Sequence, residues 1–180
     1  MKPSSKTRSK ISSLFSNFLP ATILLCTSSA IANTNNENFT VAVIQDAVGS
    51  ENLIAGNYHQ GLTDLSSKVS SDRFARLMGY CVAHIKTYKL AAAESSCTSA
   101  ISALSSNAAR GRKGKELKAL AYSNRGIARF LNDDNLSAYE DFSTAKALSS
   151  NKIVIDNIRY FKKAIRVIDS PDNSVESLAD

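Results

Sequence analysis

Between Leu120 and Leu148 two apolar faces of helical spacing flank the turn Asn132-Asp133-Asp134-Asn135. The small residues Gly126 and Ala138 stand 12 apart, and Phe142 follows four residues later. No other feature narrows the possible folds as far. Leu120, Ile127, Ala128 and Leu131 supply the face of a first helix. Ala138, Phe142, Ala145 and Leu148, at spacings of four, three and three, supply the face of a second. Asp134 or Asn135 can cap that second helix by accepting from its first-turn amides. Small side chains at Gly126 and Ala138 let two antiparallel helices approach closely, and Phe142 fills the adjoining space.

The same intervals return elsewhere. Shifted back by 45, Cys81 takes the place of Gly126, Ala93 follows at 12 and Cys97 stands where Phe142 stood, with Leu77 and Ala100 matching Tyr122 and Ala145. Shifted back a further 32, Gly49, Gly61 and Leu65 keep the 12 and 4, with a Gly56-Asn57-Tyr58 turn between them. The surplus in the 45-residue step includes Ala109 to Lys115, either a longer connection or a longer start to the next helix. Beyond Asn151, the residues Val154, Ile158, Phe161, Ile165 and Ile168 recur at four-three-four-three, with Lys162, Lys163 and Arg166 largely off that stripe. This pattern predicts an amphipathic helix over 152–168.

In Tyr122, Gly126, Ala138, Phe142 and Ala145, and in a repeat length close to about 34, the chain resembles the tetratricopeptide repeat family of stacked helix–turn–helix units. It departs from the family pattern at Arg125 and Arg129, where Leu and Tyr are usual, and at Ser150, often Pro. The resemblance implies an all-α, right-handed superhelical stack of about three helical hairpins, with repeats near 42–73, 74–107 and 119–150. The helix over 152–168 would then be the terminal cap that covers the last apolar face. It also implies a concave groove lined by first helices, in which a protein or peptide partner is held. By the family template the exposed groove residues are Ser123, Asn124, Ile127 and Phe130, with Met78, Val82 and Ile85 from the preceding repeat. The alternative is that several of them pack against neighbouring helices. The family's Lys/Asn clamp for a C-terminal carboxylate is not matched. Self-association through the repeats is a further possibility.

The start of the chain reads as an export signal. Lys2, Lys6, Arg8 and Lys10 precede an apolar but serine-broken run from Ile11 to Leu25 and the small-residue ending Ala30-Ile31-Ala32. A membrane anchor would need about 20 consecutive apolar residues, and Ser12, Ser13, Ser16, Asn17 and Pro20 interrupt this run. Lipidation at Cys26 is disfavoured by the bulky Leu24-Leu25. Residues 1–32 are therefore expected to be a cleaved signal, 33–41 a flexible leader, 42–169 one helical domain and 170–180 a mobile acidic tail. Phe39–Ile44 is β-branched and is either extended or the first turn of a helix. The expected location is periplasmic or secreted, with no stable membrane insertion after cleavage. The four signal cations come out of 22, so the remaining 18 face 16 acids and a general affinity for nucleic acid is not indicated.

An even pair of cysteines remains after Cys26 leaves, and export favours a disulfide. The resemblance places Cys81 and Cys97 across one hairpin. Helix packing distances there leave roughly 4–5 Å between facing Cα atoms, against the about 4.4–6.8 Å a disulfide spans. The competing reading is a reactive Cys81 thiol, or another enzyme using it, with His84 one helical turn away as base. His59 and His84 have no clustered partners at metal-ligand spacing, and neither a metal nor another cofactor is expected. No nucleophile elbow, phosphate loop or H-E-x-x-H motif is present, so no catalytic residue is assigned. Asp133-Asp134 reads as turn chemistry and Glu140-Asp141 as the back of a helix. The Arg110–Lys115 run is either a solvated loop or an attractor of acidic partners. The sequence thus points to a non-catalytic scaffold.

Overall fold

The computed structural model describes residues 38–68, 72–104 and 111–169. The expected signal, residues 33–37 of the expected leader and the acidic tail lie outside the described residues, as does Arg110. Among the described residues the chain is all-α, with α1 (Ser50–Ile54), α2 (Tyr58–Ser67), α3 (Arg73–Lys86), α4 (Leu90–Ala103), α5 (Arg112–Leu131), α6 (Asn135–Leu148) and α7 (Lys152–Asp169). None of these helices is long and apolar enough to cross a membrane.

Helix ends follow from local chemistry. Asp72 caps α3 by accepting from the Ala75 amide at 3.0 Å, and Asp134 caps α6 by accepting from the Ser137 amide at 3.1 Å. At the start of α7 the Asn151 side chain accepts from the Ile153 amide at 2.9 Å. The odd helices α1, α3 and α5 all end in one motif. The amide of Asn57, Lys89 or Asp134 donates to the carbonyl of Asn52, His84 or Arg129, five residues back, at 2.8, 2.9 and 2.9 Å. Between helix and donor sits a left-handed residue, Gly56 (φ 83°), Tyr88 (φ 55°) or Asp133 (φ 61°). This is the Schellman stop, which satisfies carbonyls that the helix end would leave open. The three motifs are offset by 32 and 45 residues, the offsets of the small-residue intervals in the sequence.

Those intervals have a packing basis. A Cβ on Gly126 would lie 3.1 Å from the Phe142 ring, close enough that this buried ring would have to give by a few tenths of an ångström. The equivalent position Gly49 would meet the Leu65 side chain at 3.3 Å. Between them, Cys81 on α3 and Cys97 on α4 form a disulfide with their Cα atoms 5.0 Å apart. Ala138 and Ala93, at the small positions of the even helices, are fully buried.

Each odd helix packs on the next odd helix, α1 on α3, α3 on α5 and α5 on α7, while α2, α4 and α6 contact odd helices only. The odd helices therefore form one row, termed the inner row for reference, and the even helices a second row packed against it. The first pair occupies only 50–67 of the expected 42–73, and the longer start option holds for the third, because α5 begins at Arg112. Val154, Ile158 and Phe161 of α7 are buried as its stripe predicts, Ile165 is half-buried, and Ile168 is exposed.

Candidate functional site

The inner row carries a strip of main chain. Residues 38–44 belong to no helix, and meet α7 at Thr40, α5 at Ala42 and α3 at Ile44. Two asparagines hold the strip. Asn157 of α7 accepts from the Thr40 amide at 2.8 Å and donates to the Thr40 carbonyl at 2.9 Å. Asn124 of α5 accepts from the Ala42 amide at 2.8 Å and donates to the Ala42 carbonyl at 2.9 Å. A carboxamide presents a donor and an acceptor side by side, as a neighbouring strand would. Two such groups, gripping residues two apart, match the two-residue period of an extended chain. Both carboxamides are buried, Asn124 at 0% and Asn157 at 1% exposure, so their bonds are made away from competing water. Asn157 also donates to the Ser123 hydroxyl at 2.9 Å, which fixes its orientation from α5.

Side chains add to this main-chain grip. Phe39 enters an aromatic cage in which its ring stacks on Phe142 at a centroid distance of 5.6 Å. Phe130 and Tyr160 meet it edge-on at 5.2 and 4.5 Å. Val41 and Val43 join the apolar cluster of Leu53, Leu65 and Val82, and Ile44 joins that of Phe74, Met78 and Ala121. Thr40, the residue whose backbone Asn157 holds, keeps its side chain exposed.

All seven residues expected to line a groove therefore lie in the inner-row region that carries this strip. Asn124 grips it, Ser123 orients the second grip, and Phe130 walls the cage. Ile127 and Ile85 belong to the cluster that receives Phe39 and Val41; Met78 and Val82 belong to those that receive Ile44 and Val43. They are not exposed, however. Six are at most 3% exposed and Phe130 is half-buried: Met78, Val82, Ile85 and Ile127 pack against neighbouring helices, the alternative to an open groove, and residues of 38–44 pack onto the same clusters. In the described part of the expected leader, 38–41, Phe39 and Val41 pack while Asn38 and Thr40 are exposed, and Phe39–Ile44 lies in no helix, as the first of its two readings expects. Asn157 and Tyr160 were not anticipated. The available signal was the 33-residue step from Asn124 to Asn157, near one repeat length. Reading α7 only for its apolar stripe hides it.

The even row is fastened by charge. Asp141, 2% exposed, accepts from Arg125 through both carboxylate oxygens at 2.9 and 2.7 Å and pairs with Arg129 at 3.1 Å. Arg129 also reaches Glu94 on α4 at 2.8 Å, and Arg125 reaches the Thr98 hydroxyl at 3.0 Å. Hydrogen bonding to Asp141 pushes the Arg125 pKa up despite partial burial. Asp141 is thus not the solvated helix back that its sequence suggests. It joins α6 to α5, and the two arginines that depart from the family pattern carry the connection on to α4.

Both Cys81 and Cys97 are fully buried and bonded to one another. His84, half-buried, lies 3.3 Å from the Ser96 hydroxyl through Nδ1, and burial pushes its pKa down. His59 is exposed on α2. Gly111 to Lys115 open α5, where Arg112 and Lys115 border a hollow with Lys146.

Compared with models of protein families, with curated proteins and with solved structures, the chain matches none.

Proposed function

We propose that this protein is an exported, non-catalytic scaffold of tetratricopeptide-like hairpins in a right-handed superhelical stack. Its inner row of first helices takes an extended segment of a protein or peptide partner. The observation that carries the reading is the double grip of Asn124 and Asn157 on residues two apart in an extended chain. A surface that satisfies main-chain amides and carbonyls in register, next to an aromatic cage, has what extended-peptide recognition needs. The recurrence of the Schellman stop at offsets of 32 and 45 supports repeat units over a single irregular bundle. The buried disulfide is compatible with a compartment that permits it, outside the cytoplasm.

The test is partner capture from the native envelope with the wild-type chain and with Asn124→Ala and Phe130→Ala variants that still melt cooperatively. The reading expects one partner to be lost from both variants. A partner retained by both contradicts it.

A further inference from the structure

The inner row of helices is already filled, and what fills it has a readable chemistry. We propose that residues 39–43 are a built-in ligand, and that another protein docks by displacing them with an extended segment of the same pattern. That pattern is an aromatic residue, then β-branched residues two and four positions on with a small residue between them, as in Phe39, Val41, Ala42 and Val43. This inference rests on the function proposed above and adds the partner's chemistry and its competitor.

Three observations carry it. The four hydrogen bonds from Asn124 and Asn157 go to the strip's main chain, so an incoming segment of different sequence recovers each of them and leaves neither buried asparagine unpaired. Selectivity then falls to the packed side chains, which include Ala42, 2% exposed and so with room only for a small residue. Phe39 meets three rings from α5, α6 and α7, and Val41 and Val43 enter an apolar cluster, while Thr40 points to solvent and reads nothing. Finally, the strip lies outside every helix, and its link to α1 over 45–49 turns at Asp46 (φ 58°) and Gly49 (φ 78°). The helix-to-helix contacts, the disulfide and the Arg125–Asp141–Arg129 network are all made without it. It can therefore leave while the helical rows stay joined.

A built-in occupant lowers apparent affinity by the fraction of time the groove stands open. The experiment titrates a fluorescein-labelled peptide with the sequence of residues 38–45, Asn-Phe-Thr-Val-Ala-Val-Ile-Gln, into the full chain. Wild type and Phe39→Ala are compared, and a peptide with Ala in place of its Phe serves as control. The expected result is saturable binding, at least about ten-fold tighter to Phe39→Ala than to wild type. It should be abolished by adding Asn157→Ala and by removing the peptide's Phe. A Phe39→Ala protein that melts cooperatively yet takes up no peptide, or takes it up regardless of Asn157, overturns the proposal. If Phe39→Ala does not fold, hydrogen exchange on wild type decides. Thr40 and Ala42 amides exchanging faster than the core of α5 support displacement, whereas exchange only with global unfolding overturns it. Wild-type dimers that dissociate on Asn157→Ala would make a second copy the occupant and overturn the foreign partner. Peptide exclusion combined with loss of an envelope partner on Asn124→Ala would sink this inference while leaving the scaffold reading standing.

Discussion

A carboxamide at Asn157 or Asn124 is worth more here than on a surface, because each is buried and bonded to the backbone it holds. Replacing Asn157 with Ala strands the Thr40 amide and carbonyl and frees the Ser123 hydroxyl. The expected cost is about 1–3 kcal/mol, measured as a lower midpoint in urea with an unchanged slope. A cost near zero would mean that the grip does not exist in solution. Tyr88 makes the opposite prediction. It is 74% exposed with φ 55°, in the slot that Gly56 fills in the first hairpin. Tyr88→Gly relieves left-handed strain at the expense of unfolded-chain entropy, and is expected to stabilise by about 0.5–1 kcal/mol. Thermal melting reads this directly, and a lower melting temperature would contradict it. His84 gives a pH dependence. Its folded pKa is depressed by burial, so near neutral pH folded and unfolded states are both uncharged there. As pH falls below the unfolded value of about 6.5, the unfolded state takes up the proton first and stability declines. His84→Gln should flatten that part of the curve between pH 7.5 and the folded pKa. An unchanged decline would assign it elsewhere.

At the scale of elements, the hairpin is the unit, and how each is closed differs. The third hairpin closes with Gly126 against Phe142, the second with Cys81 bonded to Cys97 in the matching positions. The double variant Cys81→Ala/Cys97→Ala should lose about 3 kcal/mol, the constraint expected for a loop of this length. Denaturant unfolding measures it, and a loss well under about 1 kcal/mol would show that packing alone closes the pair. Helix positions were legible where local signals mark them: Asp134 as a cap, Gly56-Asn57-Tyr58 as a turn, and apolar spacing across α5, α6 and α7. The Asp141 network was not. Its members come from α4, α5 and α6, and only folding brings Glu94, Arg125, Arg129 and Asp141 together. The same limit hid the strip. A β-branched run such as Phe39–Ile44 states that it extends, but not that two asparagines 82 and 117 residues away receive it.

For the whole molecule, the seven residues assigned to the groove share one region of the inner row, which the 12-and-4 interval had implied through its template. Of the two readings the sequence allows, exposure in a groove or packing against neighbouring helices, burial favours packing, to which the chain's own segment 38–44 adds. The central claim is that residues 38–44 are seated on the inner row by backbone grips at Thr40 and Ala42. Site-resolved amide hydrogen exchange on the intact chain tests it most directly. The account predicts alternation: Thr40 and Ala42 exchange slowly while Val41 and Val43 exchange faster, and Asn124→Ala removes the protection at Ala42. Uniformly fast exchange across residues 40–43, at the rate of an unstructured peptide, would contradict it.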